Sequence, residues 1–357
     1  MTDASLSFLA GLLDAPGPSG FETLPARRWR SEAERFADEV RADVNGNSYA
    51  TLLPATPGGA GLMFAGHVDE IGVMVVHIDE QGFLWFEPIG GWDPQVFVGQ
   101  RVTMLGKGGA VSGVIGKPAV HLLEKDDRDK ASKISDLFID IGATGRADAE
   151  ARVRVGDPGV LASTILRLPG DRLVSRSLDN RAGAFVVLEA LRRLAGDRPT
   201  VPVTAVATAQ EEISYSGGGA RTSAAELLPL AAIVVDVTHA TDTPGIEKKK
   251  HGDVPLGGGL VLSRGSAVNG RVFELLADTA VEEKIPFVVR AAARITGTDA
   301  DAIYTAHRGV ATGLVSVPLR YMHSPNELVA LEDLDRAARL LAAFARRVTP
   351  GADFVPR

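Results

Sequence analysis

The sequence predicts an α/β fold: a mostly parallel sheet covered by helices on both faces, with a small all-β, barrel-like domain inserted into it. Three observations carry this. Continuous apolar runs such as Ile233-Val234-Val235 alternate with amphipathic helical stretches, as strands buried on both faces of a parallel sheet require. Between about residues 68 and 163 the texture changes to short runs of β-formers broken by Gly, Asp and Pro, with almost no helical periodicity. After about Ser163 the α/β alternation returns, so the β module interrupts one domain. The expected division is residues 1–67 and 164–357 for the main domain and 68–163 for the insertion.

In chain order, Leu6 to Asp14 has apolar residues at helical spacing and stops at Pro16-Gly17-Pro18-Ser19-Gly20. Glu22 to Phe36 reads as a second helix. Val40–Asp43 and Ser48–Leu53 read as strands paired around Asn45-Gly46-Asn47, and Gly61–Ala65 as a short buried strand. In the β module the expected strands are Val73–Ile78, Phe83–Phe86, Arg101–Leu105, Ala110–Ile115 and Leu137–Ile141, before a helix at Arg146–Val153. Leu122 to Ser135, rich in alternating charge, reads as a polar exposed loop. Beyond it come helices at Asn180–Leu194, Gly270–Lys284 and Leu331–Val348. Strands are expected at Val201–Thr208, Ala231–Val237, Leu260–Ser263, Pro286–Ala291 and Leu314–Pro318.

Composition narrows the function. With 38 basic and 45 acidic side chains the formal charge is −7, and the only conspicuous basic block is Lys248-Lys249-Lys250, so nucleic acid is an unsupported partner. Zero cysteines exclude a disulfide framework and any thiolate metal site; a metal must be held by the seven histidines and by carboxylates. No apolar run approaches the ~18–20 residues that span a membrane, and no basic leader is evident, so a cytoplasmic enzyme is expected.

Glu211 and Glu212 close the apolar run that ends at Thr208. Burying carboxylates without a partner costs several kcal/mol, which a cation resolves. Neighbours on an extended backbone face opposite ways, so one acid is free to bind a metal while the other handles a proton. His67, Asp179, Glu212, Asp236 and His323 likewise stand where strands end or loops begin, the place where ligands collect in open α/β sheets. Each alone has a plainer reading: a satisfied core histidine for His67, a helix cap for Asp179, turn or loop residues for Asp236 and His323. Together they suit two cations sharing one carboxylate, a site that holds ions ~3.5–4 Å apart and activates a water near neutral pH. Nitrogen and oxygen ligands suit zinc, cobalt or manganese. Asp69, two residues after His67, is placed to support that imidazole.

These residues sit in motifs that resemble metallopeptidase family 42, the tetrahedral-type dinuclear aminopeptidases that include glutamyl, leucyl and lysyl enzymes. The motifs are Gly66-His67-Val68-Asp69-Glu70-Ile71-Gly72, Ser177-Leu178-Asp179-Asn180-Arg181, Gln210-Glu211-Glu212, the run Asp236 to Gly245, Gly297-Thr298-Asp299-Ala300 and His323-Ser324-Pro325. The resemblance spans nearly the whole chain. It implies that Asp179 bridges two divalent metals, zinc or cobalt, with His67 and Asp236 completing one site and Glu212 and His323 the other. Glu211 would be the general base and Asp69 its companion in catalysis. It also implies a cis peptide at Asp179-Asn180, a substrate pocket near Thr298 and Asp299, and short peptides as substrates. The β module would mediate dimerisation, with dimers assembling into a dodecamer. The loop Ile213 to Arg221 departs from the shorter Val-Gly-Leu-Arg-Gly-like turn usual in relatives. Two other readings stay open: a glycosidase, since proteins of this type have been labelled cellulases, and a non-catalytic assembly protein on the same scaffold.

Overall fold

The computed structural model describes residues 1–55, 59–128, 130–214 and 217–357. Parts of the expected loops 122–135 and 213–221 therefore lie outside the described residues. In chain order the strands are β1 (Glu39–Ala42), β2 (Ser48–Leu52) and β3 (Leu62–His67), then β4 (Gly72–Ile78), β5 (Leu84–Ile89), β6 (Arg101–Gly106), β7 (Gly109–Gly116), β8 (Phe138–Asp140) and β9 (Pro158–Leu161). They continue with β10 (Leu166–Leu168), β11 (Arg172–Ser175), β12 (Val203–Thr208), β13 (Ala231–His239), β14 (Leu260–Gly265), β15 (Phe287–Ala292), β16 (Thr312–Arg320) and β17 (Glu327–Ala330).

The large sheet has the order β1-β2-β12-β3-β13-β16-β17-β11-β10, with β14 on β16 and β15 on β14. Its centre, β12-β3-β13-β16, is parallel, as continuous apolar strands joined by helices demand. Antiparallel pairs flank that centre: β1 on β2, β2 on β12, and the run β16-β17-β11-β10. Period-two alternation sends Leu62 and Phe64 of β3 to one face and Met63 and Ala65 to the other. On the first face lie helices Asp3–Asp14, Thr23–Ala33, Leu178–Leu194, Gly270–Glu282 and Leu331–Arg347; on the second, Gly218–Leu227 and Asp299–Ile303. The insertion closes on itself as a barrel, β4-β5-β8-β7-β6-β9, around a core that includes Phe86, Phe97, Met104 and Ile139.

Several elements differ from expectation. The short strands β10, β11 and β17 have no clear sequence pattern; all three residues of β10 are exposed. Residues 218–221, expected as loop, begin the helix Gly218–Leu227. Consecutive glycines are poor helix formers, which hid it. Close packing is what demands one of them, because a Cβ on Gly219 would lie 1.9 Å from Asn47 Oδ1. Among the described residues no helix is long and apolar enough to cross a membrane.

Candidate metal centre

The parallel strands deliver their carboxyl ends to one place. His67 is the last residue of β3, and Asp236 lies on β13, both buried. After β12 the backbone turns at Gln210, whose φ is +61°, so Glu211 and Glu212 sit in a turn rather than on an extended strand. The two acids diverge because the chain turns, and not through strand alternation. Asp69 fixes that turn: its carboxylate accepts the backbone N–H of Glu211 at 3.2 Å and of Glu212 at 3.1 Å, and the hydroxyl of Ser19.

Asp179 opens the helix Leu178–Leu194 with non-helical dihedrals, and the Asp179-Asn180 peptide is cis. It caps nothing; its backbone N–H donates to Glu327 Oε2 at 2.9 Å, leaving its carboxylate to the cluster. Beyond β16, positive φ at Tyr321 and His323 folds the loop back over the site. There the His323 N–H donates to Glu327 Oε1 at 2.9 Å, and its Nδ1 lies 2.6 Å from the Gly91 carbonyl.

The five residues meet as two overlapping triads. His67 Nε2 is 3.3 Å from Asp179 Oδ1 and 4.0 Å from Asp236 Oδ1; His323 Nε2 is 3.5 Å from Asp179 Oδ2 and 3.3 Å from Glu212 Oε2. Within each triad, His67-Asp179-Asp236 and Asp179-Glu212-His323, the ligand atoms lie within 4.8 Å of one another. Glu211 Oε2 stands 3.8 Å from His67 Nε2 without belonging to either triad. Asp69 Oδ1 is 3.3 Å from His67 Nδ1, a buried nitrogen with no other partner among the described residues.

Charge makes the cluster costly by itself. Burial, reinforced by Asp236, Asp299 and Glu212, pushes the Glu211 carboxyl up to about 10 against the opposing pull of His67. Burial likewise raises Asp236 and Glu212. Asp179 goes the other way: burial would raise it, but hydrogen bonds from His323 and His67 hold it well below the usual range. Burial works against a charged His323, yet Asp179 and Glu212 push it up to about 11. Glu212 Oε1 is buried with no hydrogen-bond partner. Three carboxylates and two imidazoles, one of the carboxylates with an orphaned oxygen, form a donor set that fits divalent zinc, cobalt or manganese.

Sequence reasoning passed over the supports. Glu327, 2% exposed, holds the backbone of both Asp179 and His323, and nothing in Asn326-Glu327-Leu328 marks it beyond an acid beside an apolar run. Glu70 pairs with Arg176 and, at 2.8 Å, with Arg181; Arg181 also donates to the carbonyls of Val68 and Leu12, both at 3.0 Å. This buried knot ties the first helix to the segment that follows His67. Thr298 caps the helix Asp299–Ile303 and also lines the cavity of about 260 Å³ at the cluster; Asp299 is buried and accepts from Thr208 Oγ1 at 2.5 Å. Lys248 and Lys250 form a surface helix turn paired with Asp253 and Glu247.

Comparison with known proteins decides the family: the model described as M42 glutamyl aminopeptidase matches residues 46–340. The chain belongs to that family. It is 34% identical over 350 residues, 97% of each chain, to a protein named lysyl aminopeptidase from Pyrococcus furiosus. Among solved structures it is similar to the TET aminopeptidase of a marine sediment Thaumarchaeota archaeon, with a TM-score of 0.91, 34% identity and 97% of each chain covered. It is also similar to the Pyrococcus horikoshii TET1 peptidase, described as assembling into a tetrahedron or a large octahedral shell, with a TM-score of 0.84 at 28% identity. That similarity covers 96% of this chain and 100% of the other. Family membership makes this M42 chain a peptide hydrolase of the aminopeptidase kind.

Proposed function

We propose that this protein is a dinuclear metallo-aminopeptidase that removes the N-terminal residue of short peptides. The observation that carries the reading is the pair of triads sharing Asp179 in a chain of an aminopeptidase family. His67 and Asp236 would hold one divalent cation and Glu212 and His323 the other, with Asp179 common to both. When bound, two such ions, zinc or cobalt, supply a water acidic enough to react near neutral pH and a Lewis acid for the scissile carbonyl.

The chain's own residues do the rest. Glu211 lies beside the triads and opens to the cavity, where it takes the proton of the attacking water and returns it to the leaving amine. Burial keeps that carboxyl protonated in the cluster alone, and two bound cations would draw it down towards the carboxylate form a base needs. Asp69, by gripping the backbone of both glutamates, keeps base and ligand at fixed separation. Glu327 does the same for Asp179 and His323. Residues 1–67 and 164–357 make up the catalytic domain in this reading, and 68–163 a dimerisation module from which a dodecamer is built; the tetrahedral assembly of the TET1 relative supports it.

The test combines one variant and one treatment. Glu211→Gln should lose about 10²–10⁴-fold in kcat on an aminoacyl-p-nitroanilide while keeping its metal content. Chelation should abolish that activity and cobalt or zinc should restore it. Hydrolysis of cello-oligosaccharides that survives chelation would favour the glycosidase, whose two carboxylates need no metal. Silence across a substrate panel with metals bound would favour the assembly protein.

A further inference from the structure

Arg290 is the only arginine or lysine among the described residues that line the cavity at the cluster. It projects from β15, a strand paired only with β14, and its Nη1 donates to Thr238 Oγ1, two residues beyond Asp236 on β13. Among the described residues no carboxylate pairs with it. Arg290 is exposed at the cavity rim, and a guanidinium has five N–H donors and cannot be deprotonated, so a single hydroxyl leaves most of its donors open. Of the acids lining that cavity, Asp179, Glu212 and Asp236 belong to the triads and Glu211 faces His67, while Asp299 accepts from Thr208.

We propose that Arg290 recognises a carboxylate of the substrate. Thr238 holds the planar fork at the cavity wall, next to where the N-terminal residue of a peptide would sit. A carboxylate meets such a fork through two parallel charge-assisted hydrogen bonds, whereas a lysine ammonium there is repelled. The family description names glutamate and the Pyrococcus furiosus relative is named for lysine, so relatives' names point both ways; the charge of Arg290 favours the acid. The carboxylate has two sources, the side chain of the N-terminal residue or the C-terminal group of a dipeptide. This inference rests on the aminopeptidase reading.

The experiment separates the sources. Metal-loaded wild type, Arg290→Gln and Arg290→Lys are assayed on Glu-, Gln- and Lys-p-nitroanilides, which have no C-terminal carboxylate, and on Leu-Ala against Leu-Ala-amide. Binding of free L-glutamate and L-glutamine is measured by calorimetry. The expected result is a preference for one carboxylate-bearing member, Glu over Gln or acid over amide. That preference should fall by about tenfold or more in Arg290→Gln, with Arg290→Lys restoring part of it. A Glu-over-Gln effect assigns the side chain, and an acid-over-amide effect the dipeptide terminus. Unchanged ratios in Arg290→Gln overturn the proposal, as does transfer of the whole effect to Arg221→Gln, since Arg221 lines the adjoining cavity of about 460 Å³. No hydrolysis of any substrate, with glutamate binding still dependent on Arg290, rejects the peptidase reading and keeps the carboxylate site.

Discussion

Asp179 gathers more of the site than any other residue. Its two carboxylate oxygens face His67 and His323, and its backbone is held by Glu327. The residues the sequence brought forward carry charge at strand ends, a pattern that a one-dimensional reading detects. Glu327, Arg176 and Arg290 were not legible, because each matters through a contact across more than a hundred residues or through an edge strand, and neither leaves a local pattern. Glu22 gives a prediction at this scale. An ordinary glutamate titrates near 4.5; burial first and the charge of Asp69 second push Glu22 up to about 7, against the N–H groups of Gly20 and Gln210. Between those values the folded chain holds a proton that the unfolded chain has lost, so stability falls as pH rises through this window, and the whole cost is present above about 7. Glu22→Gln keeps an acceptor for both N–H groups and removes the charge. Its urea midpoint should exceed wild type at about pH 8, and the gain should fade towards about pH 5. An equal shift at both pH values would contradict this.

Among the elements, the helix Leu178–Leu194 decides how closely the site can be assembled. Buried along almost its whole length, it lies against β3 and β13. A Cβ on Gly183 would come within 2.4 Å of both Asn180 Oδ1, which accepts the Gly183 N–H at 2.9 Å, and the Val235 carbonyl, to which Asn180 Nδ2 donates at 2.8 Å. Gly183→Ala should therefore cost about 1–3 kcal/mol in a denaturant titration, as overpacking does. A midpoint equal to wild type would show that the contact yields freely. Continuous apolar strands and strongly amphipathic helices such as Leu331–Arg347 were legible here, since burial on one or both faces is written into residue spacing. The short strands β10, β11 and β17 and the glycine-rich start of Gly218–Leu227 were not, because their reason lies in tertiary packing.

For the whole molecule, the insertion is closed around its own core, and it still exposes Val76, Val98, Val114 and Leu122. The assembly proposed above would give these side chains a partner surface. Light scattering should give a mass several times the 37.5 kDa of one chain, with twelve copies the expected end state. A stable species of one chain that is fully active would contradict the proposed assembly and leave the catalytic reading in place. The insertion itself was legible as a change of texture along the chain. Its exposed apolar side chains were not, because exposure is a property of the fold.

Whether two cations share Asp179 is read from metal content per chain in wild type and Asp179→Asn, both fully loaded and then freed of excess ion. Two equivalents are expected in wild type, with loss of tight binding at both positions in the variant and activity falling in step. Wild-type protein that hydrolyses aminoacyl substrates at full rate with no bound metal, or an Asp179→Asn protein that still holds two ions as tightly, would contradict it.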